Sequence, residues 1–154
     1  MILSDVQIEE LIDEEKLGIE GFRDENLTPN GYDLTISEIS IDGDKSISEG
    51  TVEIPGNTWF AVSTEEYVRF PSNVAGELWI RTTWARKGVI SSFGMIDSGF
   101  EGNLTLSAFN AGDEIKIDIG ETFAQLVFHL LSKDSEKLYG ERSGNYQGSK
   151  GVTL

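Results

Sequence analysis

Two places in this chain of 154 residues carry side-chain types at a spacing that could do chemistry: Asp97, and the basic run from Arg81 to Gly88. Asp97 lies within GMIDSGFEGNLTLSAFN, residues 94–110, after an apolar pair and before the Ser98-Gly99 turn, with an alternating strand behind it. At a strand end, held by buried Met95 and Ile96, a carboxylate is a fixed general base, and the glycine lets a ligand or another backbone come close. The same residues also suit a hairpin whose aspartate caps the turn. The run RTTWARKG carries three cations, two hydroxyls and no acid, in a chain of net charge −15. It is a candidate anion site, with a strand end bearing solvated cations as the plainer alternative.

Composition narrows the chemistry further. With 27 acidic against 12 basic residues the chain repels a phosphate backbone, so nucleic acid is not an expected partner, while a small anion is. There is no cysteine, and His129 is the only histidine. Disulfides, thiol catalysis and Cys/His zinc sites are therefore excluded, and catalysis must rest on carboxylates, hydroxyls, amides and bound cations. The opening MILSDVQIEE lacks a basic start followed by an apolar run, and no apolar stretch approaches membrane-spanning length. The expectation is a cytoplasmic protein with no membrane partner.

The elements that must position these residues are mostly strands. Ser4 and Gln7 stand at capping-box spacing, and Ile8, Leu11 and Ile12 form one apolar stripe, which predicts a short helix running to about Lys16. From Leu17 the period becomes two, with runs at 32–41, 51–54, 58–62, 66–70, 76–81, 103–109, 115–119 and 122–131. Turn signals at Asp42-Gly43, Pro55-Gly56-Asn57, Pro71-Ser72-Asn73 and Ala111-Gly112-Asp113 separate many of them. Many short strands at close spacing predict an all-β fold, a distorted barrel or jelly roll. Runs such as WFAV and QLVF are apolar on both faces, so one face is expected to meet another subunit. Residues 1–139 form the expected β domain; 140–154, with four glycines among GERSGNYQGSKGVTL, read as a flexible C-terminal segment. His129 and the three tryptophans, Trp59, Trp79 and Trp84, are read as packing residues of the core or an interface.

Taken in order, Asn30-Gly31-Tyr32-Asp33-Leu34, Arg81-Thr82-Thr83-Trp84-Ala85-Arg86, residues 94–110, Ala124-Gln125-Leu126 and Asn145-Tyr146-Gln147-Gly148 resemble the motifs of the trimeric dUTPase and dCTP deaminase superfamily. The opening Ile2-Leu3-Ser4-Asp5 and the NGYDL segment look most like the dCTP deaminase branch and its archaeal members. The resemblance implies a jelly-roll homotrimer with active sites at subunit interfaces and a C-terminal segment that closes over a deoxyuridine or deoxycytidine triphosphate. It also implies roles. Asp33 would hold magnesium through water; Arg81, Thr82, Thr83 and Arg86 would face the triphosphate, with Gln125 near the phosphates. Asp97 would orient and deprotonate a water, and Phe100 would pack on the deoxyribose and leave no room for a 2′-hydroxyl. Backbone groups around Gly94 and Ile96 would read the base edge, with Gly94 allowing close approach, and Tyr146 and Gln147 belong to the closing segment. Guanidinium forks match phosphate oxygens, and magnesium prefers carboxylate and phosphate oxygens with water retained.

Departures from the deaminase pattern decide the reaction expected. Where the deaminases carry a proton-shuttling glutamate, this chain has Ser107, whose hydroxyl neither takes a proton from water nor returns one to a leaving ammonia at useful rates. Its same-face mates Thr105 and Phe109 supply no acid. Asn145 and Ser149 replace the lysine and glutamine of the deaminase tail, with Lys150 one place away. The favoured expectation is a magnesium-dependent dUTP diphosphatase yielding dUMP and pyrophosphate. The alternatives are a zinc-independent dCTP deaminase and a nucleotide-binding homologue without catalysis.

Overall fold

Ser4 and Gln7 close the capping box that their spacing predicts: the Ser4 N–H donates to Gln7 Oε1 at 3.1 Å, and the Gln7 N–H reaches Ser4 Oγ at 3.5 Å. The helix α1, Asp5–Asp13, seats Ile8 in the core. It stops short of Lys16 because Glu15 turns left-handed at φ 56°, which lets Lys16 and Leu17 both donate back to the Leu11 carbonyl. The computed structural model describes residues 1–154.

Eleven strands follow: β1 (Gly18–Glu20), β2 (Leu27–Thr28), β3 (Gly31–Ile41), β4 (Thr51–Ile54), β5 (Thr58–Arg69), β6 (Val74–Ile80), β7 (Val89–Ser91), β8 (Met95–Ile96), β9 (Glu101–Asn110), β10 (Ile115–Asp118) and β11 (Thr122–Leu130). A 3-10 turn (Asp24–Asn26) and the helical turn α2 (Thr82–Ala85) interrupt them, and a last helical turn, α3 (Tyr139–Arg142), follows β11. Nine strands make one curled sheet in the order β7-β9-β5-β3-β11-β6-β8, with β1 on β5 and β2 on β3; β10 and β4 form a separate pair. The fold is all-β with a short N-terminal helix, as the alternation predicts.

The sheet closes around one apolar cluster that includes Tyr32, Phe60, Phe123 and Phe128, all almost wholly buried. Two expected strands, 58–62 and 66–70, are a single strand with a register shift between Ser63 and Tyr67. Ser63, Thr64 and Glu66 break the alternation yet stay inside, while Glu65 turns outward, and Asn103 Nδ2 gathers the bulge by donating to the carbonyls of Thr64, Glu65 and Glu66 at 3.0, 3.3 and 3.0 Å. Among the tryptophans, Trp84 is core, whereas Trp59 and Trp79 are exposed, because their strand positions face out of the sheet. His129 is half-buried, its Nε2 2.8 Å from Glu77 Oε2. No helix is long and apolar enough to cross a membrane.

Candidate active site

The strands β8 and β9 and the turn between them build one wall of a cavity of about 420 Å³, a size suited to a small ligand. The turn is closed by the Phe100 N–H donating to the Asp97 carbonyl at 3.1 Å, with Gly99 left-handed at φ 80°. Of the residues expected to recognise a ligand, Gly94, Ile96, Asp97, Phe100 and Tyr146 line this cavity. Asp97 is exposed into it and joins none of the chain's ion pairs. Ile96 is buried beside it as expected, but Met95 is 55% exposed, because a strand of two residues turns its alternate side chain outward.

Consecutive residues of β9 meet the cavity: Leu104 and Leu106, both nearly buried, line it together with the more accessible Asn103, Thr105 and Ser107. Asp97 is the only acid among the 16 lining residues, and no lysine or arginine is among them. Gly94 has open space where a side chain would stand, nothing within 4 Å, so its lack of a side chain enlarges the cavity and serves no packing need of the chain.

The expected phosphate group of residues lies elsewhere on the chain. Arg81 begins the helical turn α2, where a strand end had been expected; Trp84 pins that turn by donating its Nε1–H to the Thr122 carbonyl at 2.9 Å and packing on Phe123. Thr82, Thr83 and Arg86 are exposed on it, while Lys87 lies over the Trp84 ring at 4.5 Å. Arg81 Nε pairs with Asp33 Oδ2 at 2.9 Å and its Nη1 also reaches Thr122 Oγ1. Antiparallel register sets Asp33 opposite Gln125, whose Nε2 donates to Thr28 Oγ1 at 2.9 Å. Arg81, Asp33, Thr122 and Gln125 thus form one cluster. None of them lines the cavity that holds Asp97.

Burial pushes the Asp33 carboxyl above its usual value, and the Arg81 guanidinium offsets part of this. No group of three or more acids or imidazoles stands together that could cage a metal. A lone half-buried carboxylate paired with an arginine would suit a magnesium that arrives on a ligand's own oxygens and touches the protein through water.

The C-terminal segment lies along β9. Ser149 accepts the Asn103 N–H at 2.9 Å through its carbonyl and donates its own Oγ–H to the Asn103 carbonyl at 2.9 Å; the Thr153 N–H reaches Thr105 Oγ1 at 3.0 Å. Tyr139, Tyr146, Ser149 and Thr153 complete the cavity wall. Gln147, expected to face the ligand, does not line it; its amide is occupied by the backbone of Gly99 and Glu101. Tyr139 was not anticipated, since a lone aromatic in a polar tail carries no periodic signal.

The chain matches the dCTP deaminase-like family over residues 41–131. It is 39% identical over 140 residues, 88% of each chain, to the dCTP deaminase of Thermococcus kodakarensis. Identity to the dCTP deaminase of Pyrococcus horikoshii is 41% over 135 residues, 85% of each chain. A protein of Sulfolobus islandicus rod-shaped virus 1, named probable deoxyuridine 5′-triphosphate nucleotidohydrolase, is 33% identical across 100% of this chain and 98% of its own. Among solved structures, the 2′-deoxycytidine 5′-triphosphate deaminase of Agrobacterium tumefaciens superposes with a TM-score of 0.73 at 16% identity, covering 84% of this chain and 47% of that one. This chain therefore spans about half the length of that structure. The EIAV dUTPase superposes with a TM-score of 0.54 at 25% identity, over 81% of this chain and 92% of its own. By name, the two archaeal relatives, at higher identity, fit the deaminase alternative better than the hydrolase expected from the sequence, while the viral relative fits the hydrolase.

Proposed function

Because this chain belongs to the dCTP deaminase-like family, we propose that its cavity takes the base and sugar of a pyrimidine deoxynucleoside triphosphate and that its reaction is hydrolysis of dUTP to dUMP and pyrophosphate. One observation carries the choice of reaction: Asp97 is the sole acid lining the cavity, and Ser107 occupies the place on β9 where the deaminase pattern puts a glutamate. Hydrolysis needs one base. Asp97 takes a proton from water, the water oxygen bonds to the α-phosphorus, and the bond to the bridging oxygen of the departing pyrophosphate breaks. Deamination needs a group that also delivers a proton to the ring and the leaving ammonia, and a serine hydroxyl does neither at neutral pH.

In this reading Gly94 and Ile96 offer backbone groups to the uracil edge, and Phe100 packs against the deoxyribose. The cavity contains no cation, so Arg81, Thr82, Thr83, Arg86 and Gln125 must reach the triphosphate from a second copy of the chain. A homotrimer with shared sites supplies that. Magnesium, when bound with the nucleotide, would neutralise phosphate charge, with Asp33 accepting hydrogen bonds from its water.

The names of the relatives favour deamination of dCTP, and that is the second reading. Chromatography of products from magnesium with dUTP or dCTP separates the two. The expected result is dUMP and pyrophosphate from dUTP with dCTP returned intact, and loss of about two to four orders of magnitude in turnover for Asp97→Asn with nucleotide binding retained. Deoxyuridine nucleotide formed from dCTP would establish the deaminase instead, and tight binding without turnover would mark a non-catalytic binder.

A further inference from the structure

The turn that carries Asp97 and Phe100 is held on one side by the sheet, through the Gly99 N–H donating to the Phe70 carbonyl at 3.1 Å and the Phe70 N–H donating to the Phe100 carbonyl at 2.9 Å. Its other side is held by Ser135 and Tyr139, which lead into the C-terminal segment, and by Gln147 within that segment. The Tyr139 N–H donates to the Ser98 carbonyl at 3.0 Å, and the Ser98 and Ser135 hydroxyls meet at 2.6 Å. Gln147 brackets the same turn with both ends of its amide: Nε2 donates to the Gly99 carbonyl at 3.2 Å and Oε1 accepts from the Glu101 N–H at 3.2 Å. Neither a carboxylate nor an ammonium can do both, since one has no donor and the other no acceptor.

Tyr139 acts on the side chain of that turn. Its ring meets Phe100 edge to face, centroids 5.4 Å apart at 75°, and its hydroxyl accepts the Tyr146 N–H at 3.1 Å. Phe100 is buried, and Tyr139 stands between it and the rest of the segment. A wall excludes one extra hydroxyl only if it cannot retreat, and an aromatic ring braced by a second ring has nowhere to go.

We infer that Gln147 and Tyr139 are positioning residues with separate tasks: the Gln147 amide fixes the backbone that aims Asp97, and the Tyr139 ring fixes Phe100 as the surface that rejects a 2′-hydroxyl. The inference rests on the reading of this cavity as a deoxynucleotide site. It assigns to the closing segment the selectivity for sugar, and not contact with the phosphates alone.

The test is calorimetric titration of the full chain, with magnesium, with the α,β-imido forms of dUTP and UTP, whose bridging nitrogen resists cleavage, and with dCTP and CTP. Wild type is compared with Tyr139→Phe and Tyr139→Leu. Tyr139→Phe keeps the ring and is expected to keep the deoxy-over-ribo preference. Tyr139→Leu is expected to lose about tenfold of it, within the range by which an apolar wall resists an added hydroxyl. An unchanged preference in Tyr139→Leu overturns the role of Tyr139. Gln147→Met serves as the independent variant, because Gln147 is exposed and its loss leaves the aromatic pair in place. There kcat is expected to fall about tenfold or more with KM and the sugar preference little changed, the signature of a displaced reacting group. A rise in KM at constant kcat would instead make Gln147 a ligand contact and overturn its bracketing role. Failure of wild type to bind either deoxynucleotide would bring down the underlying reading of the cavity, a result distinct from both.

Discussion

Glu66 shows what a single residue costs the fold beneath the cavity. It is 1% exposed, accepts the Thr35 N–H at 2.9 Å through Oε2, and lies behind the bulge whose carbonyls Asn103 gathers. Burial pushes its carboxyl above the ordinary glutamate value, and the Thr35 N–H recovers only part of the loss. A folded-state pKa above the unfolded one means the favourable contribution is complete below the ordinary carboxylate range and is lost as pH rises through the folded value. Glu66→Gln stays neutral throughout and keeps an acceptor for Thr35. At pH 7 the variant is expected to be more stable than wild type, because it does not carry the cost of ionising a buried carboxyl. The advantage should vanish below the usual carboxylate range. Denaturant unfolding of both proteins across that range checks it, and parallel curves would show that Glu66 does not titrate with folding. The large acidic surplus repels itself in both proteins and cancels in the comparison.

At the scale of elements, the pairing of β3 with β11 is what sets Asp33 opposite Gln125 and within reach of Arg81. At Gly31 an added Cβ would stand 2.6 Å from the Leu126 carbonyl oxygen of β11. Backbone cannot yield there without shifting the register that sets Asp33, Gln125 and Arg81 together. Gly31→Ala is therefore expected to destabilise the fold by about 1–3 kcal/mol, the usual cost of forced overpacking, read as a lowered Tm. A variant as stable as wild type would show that the sheet opens freely at this edge. Alternation made β4, β9 and β10 legible because each has one face in the core and one outside, whereas β3 and β11 bury residues on both faces and were legible as apolar runs between turns. β5 was read as two strands because its bulge buries Ser63, Thr64 and Glu66 on tertiary hydrogen bonds that no local pattern announces. The helical turn α2 was hidden for the same reason, since it is held by a bond between Trp84 and Thr122, 38 residues apart in sequence. Asp97, Phe100 and Tyr146 could be read as neighbours, but the occupation of Gln147 by backbone groups could not, because that depends on how the closing segment lies on β9.

The whole molecule poses a question that one copy leaves open, because the Asp97 cavity contains no cation while Arg81, Thr82, Thr83 and Arg86 face solvent or Asp33 away from it. The exposed apolar side chains Trp79 and Met95 lie at 57% and 55% exposure on the β6–β8 edge, and Trp59, Ile90 and Phe109 emerge from adjacent strands β5, β7 and β9. Burying such surface against further copies must outweigh the mutual repulsion of chains that each carry −15 charges. A closed trimer that passes the arginine cluster of one copy to the cavity of the next meets both needs. Its consequence is complementation. Arg81→Ala and Asp97→Asn are each expected to be nearly inactive as pure assemblies, but when the two are unfolded together and refolded at equal amounts, about a quarter of the sites unite an intact Asp97 with an intact Arg81 from a neighbour, if subunits mix at random in a cyclic assembly. Activity recovered to about that fraction, with sedimentation giving three copies per particle, is the expected result. No recovery from particles shown to be mixed would mean that each chain completes its own site, and the cavity would then have to find its phosphate-binding cations within the same copy.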